Sequence, residues 1–464
     1  MTQPQRLELD QDNGLPSAPK RRDAAVDKAI NVLDVTFGVG DDRNYDIRLW
    51  DGTLLEGALT PRADFCLVIR RRGALRRMLL PPSELTIVES FISGDIEIEG
   101  SLEAAMGLGD AIGARVQSVS GIARVIAKVL GLPRDDEAPA LEETRYARSL
   151  RLLTPRGRKS TESEIQFHYD VGNDFYALWL APNMLYTCAY YRKDTEDLAS
   201  AQIAKVDHIC RKLRLQPGER LLDIGCGWGG LVMHAAEQYG VRACGITLSA
   251  AQAEWAQRRI EQRGLGDRCS VAVMDFRDLP ITERFDKISS VGVTEHVPED
   301  QQPAYFARAF EALKPTGLFL NHCEVSTRTA RRKNSPKEKF VRWLWKRDQF
   351  IDKYVFPDAK LVPLASVISS AERVGFEVRD VESLREHYTM TLRAWLQGLE
   401  RKKTEATRLV GERTYRVWRL YMSAASYGFR SGGLNLVQTL LSKPDTDGHA
   451  GIPLTREDLY SNKY

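Results

Sequence analysis

No stretch of the 464 residues approaches the roughly 20 consecutive apolar side chains that cross a bilayer. Any membrane substrate would therefore be met at the surface. The N-terminal MTQPQRLELDQDNGLPSAPKRRD lacks the apolar core of a secretory signal, so the expected location is cytoplasmic, peripheral to the inner membrane face. Seven cysteines with no C-x-x-C spacing exclude a disulfide framework and argue against zinc or any other metal centre. The net charge of only +3 gives no reason to expect nucleic acid as a partner. No internal repeat is present. With 43% hydrophobic and 28% charged residues, the composition is that of an ordinary globular protein.

The texture along the chain suggests four segments. Residues 1–24 are too polar to bury much and read as a disordered tail. Residues 25–126 read as a small α+β domain: YDIRLWDG and FCLVIRRRG alternate like strands, and GDIEIEGSLEAAMGLGDAI passes from strand to helix. Residues 127–162, charged and broken by Pro133, Pro139 and Pro155, read as a linker. In residues 163–464 strand and helix patterns alternate, from RLLDIG through GLVMHAAEQYG and RACGITLS to GLFLNHCEV. That alternation predicts an α/β fold with a parallel sheet covered on both faces, and a mixed, mostly helical tail from about residue 361.

LLDIGCGWGG, residues 221–230, follows a strand and opens a helix. Gly225, Gly227 and Gly229 clear side chains from a loop where backbone could touch a ligand. Such a loop alone does not separate NAD from other nucleotides. Three neighbours do. Asp223 places a carboxylate where it could face a cationic amino-acid portion. GITLS ends the second strand with hydroxyls instead of the ribose-binding acid of NAD folds. MDFRD, with Asp275, Phe276 and Arg277, sets an acid and a ring where an adenine would lie. Together they point to S-adenosylmethionine.

A second cluster, IQFHYDVGNDFYALWLAPNMLYTCAYY, mixes aromatic rings with polar groups too numerous to be satisfied cheaply in a core. With HYDVGNDFY, YTCAYY, LDIGCGWGG, GITLS, VGVTEHV, NHCEV, DKYVFP and HYTMTLRAW in this order, the sequence resembles the cyclopropane fatty acid synthases and the mycolic acid cyclopropane synthases. The resemblance covers about residues 163–436. It implies a doubly wound, Rossmann-like class I methyltransferase sheet with acyl-chain-binding helices. It also implies transfer of a methylene from S-adenosylmethionine to the cis double bond of an unsaturated phospholipid acyl chain. Resemblance to some relatives further implies a homodimer.

The implied cofactor contacts are Tyr186, Thr187, Gly225, Gly227 and Trp228. Thr247 and Gln252 would serve the ribose and amino-acid side, and Phe276 and Arg277 the adenine. The family's base is a bicarbonate ion, implied here at the Cys188 backbone, Glu295 and His322, with Tyr388 pointing into the same site. The chemistry needs such a group: an alkene captures a methyl cation, and the resulting carbocation must lose a proton in a dry pocket. Tyr169, Phe175, Tyr176, Trp179, Tyr186 and Tyr190 are candidates for its walls.

Two departures stand out. Where the family carries a histidine-threonine-isoleucine triplet, this chain has His322-Cys323-Glu324. Glu324 then stands in for bicarbonate, repels it and changes the product to a methylene- or methyl-branched chain, or merely pairs with Arg328. Ala425 occupies a position where some relatives carry a cysteine, so no thiol acts there. Finally, Thr327 to Phe350 is basic, with Phe340, Trp343 and Leu344 at near-helical spacing, a pattern suited to anionic headgroups. An inactive lipid-binding protein remains the alternative of another class.

Overall fold

The computed structural model describes residues 23–58, 64–80, 83–108, 119–134, 171–279, 285–327, 349–355 and 361–460. The tail 1–22, most of the linker, Tyr169, Arg328 and most of the basic segment 327–350 lie outside these residues.

Seven strands form the main sheet: β5 (Arg220–Ile224), β6 (Arg242–Thr247), β7 (Cys269–Val273), β8 (Phe285–Val291), β9 (Leu313–Ser326), β10 (Glu377–Ser383) and β11 (Leu434–Ser442). Their order is β10-β11-β9-β8-β5-β6-β7. β5 pairs in parallel with both β6 and β8, and β9 continues the parallel run beside β8. β11 and β10 close that side antiparallel. The chain leaves β5 toward β6 and returns on its other side at β8, so the switch point lies between the carboxyl ends of β5 and β8. β5 reads as a nearly continuous buried run because helices cover both faces of the sheet. The expected parallel α/β architecture is therefore present. The two antiparallel strands come from the tail, among its helices.

Local signals place the elements that matter. The helix Leu198–Lys212 starts where Asp197 accepts a hydrogen bond from Ser200 N at 3.0 Å. The helix Gly230–Tyr239 is bounded by Gly229 and Gly240, both left-handed. Two long helices, Arg385–Arg401 and Lys403–Arg430, precede β11, and the second bends where Gly411 adopts φ 80°.

The N-terminal residues form a separate four-stranded sheet, with β1 (Asp46–Arg48), β2 (Leu54–Leu55), β3 (Phe65–Ile69) and β4 (Ile96–Gly100) in the order β2-β1-β3-β4. Its core, including Leu33, Ile47 and Leu67, is continuous with Trp395, Trp418 and Phe429 of the two long helices. Charge seals the contact. Glu103 accepts from Arg393 at 2.7 Å and from Arg430 at 2.8 Å, while Glu97 pairs with Arg416 and Arg419. Arg416 is buried, and its guanidinium also donates to Phe91 O at 2.9 Å. Removing one partner from such a pair leaves the other charge uncompensated. Arg416→Met should therefore lower unfolding stability by about 2 kcal/mol, less than a fully buried pair because Glu97 keeps Arg419. Chemical denaturation checks this; a midpoint equal to that of the parent would remove the seal from the account.

No helix among the described residues is long and apolar enough to cross a membrane.

Candidate active site

The glycine loop lies at the switch point. Gly225, Gly227 and Gly229 all take positive φ, at 74°, 54° and 77°. A Cβ on Gly225 would stand 2.2 Å from Val293 Cγ2, whereas one on Gly227 would meet nothing within 4 Å. The loop is thus pressed against the turn Thr294–His296 on one side and open on the other. Gly225 N and Cys226 N both donate to Ile246 O at 2.9 Å, which ties the loop to β6.

Around that opening stand the residues expected at a cofactor. Asp223 is buried at the end of β5 and accepts from Ser289 Oγ at 2.7 Å. Burial pushes its carboxyl up to about 7, against the Ser289 hydrogen bond and the Lys205 charge, which pull it down. Thr247 Oγ1 donates to Gln252 Oε1 at 2.9 Å, and Gln252 Nε2 is buried without a partner among the described residues. Trp228 Nε1 donates to Asn173 Oδ1 at 2.9 Å, and its ring packs 5.1 Å from that of Tyr176. Asp275 takes hydrogen bonds from both the backbone and the guanidinium of Arg277, and Phe276 packs edge-on to Tyr305. An open glycine cradle, an orphaned buried amide and an acid at the strand end are features that S-adenosylmethionine would use.

YTCAYY, residues 186–191, is clamped from two directions. From the helix Leu198–Lys212, Gln202 Nε2 donates to Thr187 O and Lys205 Nζ to Thr187 Oγ1, each at 2.8 Å. From the helix Arg385–Arg401, Thr391 Oγ1 accepts from Ala189 N and His387 Nδ1 from Tyr191 N, each at 3.0 Å. Cys188 is fully buried, and burial pushes its thiol far up, out of the reactive range. Tyr186 lies in a knot of rings with Tyr176, Trp179, Trp395 and Trp418, centroids 5.1–6.1 Å apart.

The acidic side of the site joins two elements. Glu295 rides on the turn Thr294–His296 after β8, and Glu324 on β9. Glu295 Oε2 is enclosed and has no hydrogen-bond partner among the described residues. Tyr388 favours the ionised form of Glu324 and pulls its carboxyl down against burial. Burial holds both carboxyls well above the usual glutamate range, and the charge of Glu324 pushes that of Glu295 further up. The field of Glu324 also reaches Cys188. Cys188, Glu295, Glu324 and Tyr388 therefore share one neighbourhood. His322 lies two residues before Glu324, on the same face of β9. Its Nδ1 meets Gln438 Nε2 at 3.2 Å, Nε2 has no partner among the described residues, and burial lowers its pKa to about 3, keeping it neutral. The charged groups felt by His322 are Lys205, Lys212, Glu382 and His208, so it sits toward the helix Leu198–Lys212.

Residues 156–439 match the family model described as mycolic acid cyclopropane synthetase. The chain belongs to this family. A Pseudomonas putida probable fatty acid methyltransferase is 36% identical over 89% of this chain and 95% of its own. The Escherichia coli cyclopropane-fatty-acyl-phospholipid synthase is 34% identical over 75% of this chain and 85% of its own. Among solved structures, mycolic acid cyclopropane synthase CmaA1, complexed with SAH and CTAB, superposes with a TM-score of 0.56 at 33% identity. That match covers 62% of this chain and 99% of CmaA1.

As a member of the mycolic acid cyclopropane synthetase family, the protein is an S-adenosylmethionine-dependent methyltransferase. Bicarbonate, implied by the resemblance at Glu295 and His322, would share this member's site with Glu324. Two buried carboxyls already stand there, and the charge of Glu324 pushes that of Glu295 up.

Three buried polar groups at the site were not singled out by the sequence reading: Gln202, Lys205 and Gln438. A signal for the first two exists. Ala201, Gln202, Lys205, Val206 and Ile209 form the buried stripe of one helix, and an amide and a lysine interrupt its apolar pattern. Gln438 has no comparable signal, because its role depends on β11 pairing with β9 across a long excursion of chain.

Proposed function

We propose that the protein methylates the cis double bond of an unsaturated fatty acyl chain carried by a phospholipid, with closure to a cyclopropane. The observation that carries this reading is the buried carboxyl pair Glu295–Glu324, with the glycine cradle and the aromatic knot of the same site. The names of the relatives support the substrate class.

Bound S-adenosylmethionine supplies a methyl group to one alkene carbon and leaves positive charge on the other. Tyr186, Trp395 and Trp418 would exclude water, and their ring faces would offset that charge by about 0.5–2 kcal/mol each. Glu324, whose ionised form Tyr388 favours, takes a proton from the added methyl, and the electrons of that C–H bond close the three-membered ring. The charge of Glu324 holds Glu295 protonated beside it. Glu324 thereby takes the place of bicarbonate.

A second reading shares the methyl transfer. If hydride first migrates from the methylated carbon to its cationic neighbour, loss of the methyl proton gives an exocyclic methylene. Glu324 favours weighing it, since a carboxylate fixed on β9 times proton removal differently from a small bound ion. The fatty acid methyltransferase relatives support it also.

Incubation with S-adenosylmethionine and dioleoyl phospholipid vesicles, followed by mass spectrometry, should show a gain of one CH2 per modified chain. Cyclopropane proton signals by NMR support the first reading, and olefinic CH2 signals the second; no gain overturns both. In carbon-dioxide-free buffer the rate should be unchanged by added bicarbonate. A rate that requires bicarbonate would return the base to the ion.

A further inference from the structure

A lysine 1% exposed on a catalytic-domain helix calls for a reason, because burial of an ammonium costs several kcal/mol unless it is compensated. Lys205 receives little compensation. Its one hydrogen bond among the described residues is to the neutral Thr187 Oγ1, at 2.8 Å. Two of its three N–H bonds are left over. Burial pulls its pKa down to about 8, while the fields of Cys188 and Asp223 push the other way.

The surroundings say what the spare donors face. Thr187 borders the cofactor cleft: its Cγ2 is 3.3 Å from where a Cβ on Gly292 would stand, and Gly292 immediately precedes the Val293 that presses on Gly225. Asp223, 3% exposed, ends β5 at the same cleft. Lys205 and Asp223 feel each other's charge, yet no ion pair joins them. Two buried, opposite charges held apart beside a ligand cleft match a zwitterion, and the amino-acid end of the methyl donor is one.

We propose that Lys205 is a cofactor-site residue whose ammonium receives the α-carboxylate of S-adenosylmethionine, while Asp223 faces the α-ammonium of the same group. Lys205 then makes the enzyme selective for a donor that retains its carboxylate. It also couples cofactor arrival to the position of YTCAYY, because the same ammonium holds Thr187. The inference rests on the methyl-donor identity of the ligand and not on the lipid product.

Calorimetric titration without lipid tests it, with S-adenosylhomocysteine and with its decarboxylated analogue, which keeps the amine and lacks only the carboxylate. The parent enzyme should prefer the carboxylate-bearing ligand by about thirtyfold or more. Lys205→Met should erase that preference, weakening S-adenosylhomocysteine by the same factor and sparing the analogue; Lys205→Arg should restore part of it. If both ligands weaken equally, or S-adenosylhomocysteine binds as before, the proposal is overturned and Lys205 serves only to hold Thr187. Should Lys205→Met fail to fold, the parent enzyme still decides: equal affinity for the two ligands overturns the proposal, and a clear preference supports it. A failure of the lipid reading would appear separately, as absence of product from the vesicle assay.

Discussion

Glu324→Gln should lower turnover by about 10²–10⁴-fold while leaving S-adenosylhomocysteine affinity unchanged. The amide matches the carboxylate in shape and size, so the pocket keeps its form. What it loses is the ability to take a proton. Glu295 remains nearby, and with its neighbour neutral it loses the repulsion that raised its pKa. The residual rate should therefore carry a distinctive pH dependence. A carboxyl must be ionised to act as base, so in the parent enzyme activity falls as pH drops through the raised pKa values, near neutrality instead of near pH 4. In Glu324→Gln the acid limb should move to lower pH. A variant with the parent's rate and the parent's limb would dismiss Glu324 as the base.

Gly225→Ala should reduce kcat/KM by about three orders of magnitude. Two costs add. An alanine at φ 74° is strained by about 1–2 kcal/mol. Its Cβ would also stand 2.2 Å from Val293 Cγ2, on a short, stiff side chain, so overpacking adds about 1–3 kcal/mol. The displaced element is the turn that carries Glu295, so cofactor affinity and chemistry should fall together. Gly227→Ala separates strain from clash, because its Cβ would meet nothing within 4 Å. It should keep the fold and lose cofactor affinity only to the extent that the ligand approaches that backbone. If Gly225→Ala behaves no worse than Gly227→Ala, the loop and the Glu295 turn are not pressed together as described.

Much of the site was legible because its signals are local. Glycines at 225, 227 and 229 in front of an apolar helix announce a strand-to-helix turn whatever the rest of the chain does. The departure at Glu324 was visible as a carboxylate in a position where the resemblance implied an apolar residue. Its partners were not visible. Glu295, Glu324 and Tyr388 sit on a turn, a strand and a helix that the chain visits far apart, and only folding brings their fields to bear on one another. The basic segment 327–350 lies outside the described residues, so its suggested role at a lipid surface rests on its pattern alone.

By itself the sequence determined the α/β class, the glycine loop, the methyl donor and the acidic departure on β9, because periodicity, turn chemistry and motif order are properties of neighbouring residues. Only the tertiary structure decided that the N-terminal sheet shares a core with the long helices, that the tail lends two antiparallel strands, that the charge of Glu324 pushes Glu295 up, and that Lys205 is buried beneath Thr187. Burial and electrostatic coupling depend on distances through space, and those are set when β5, β8, β9 and the two clamping helices converge.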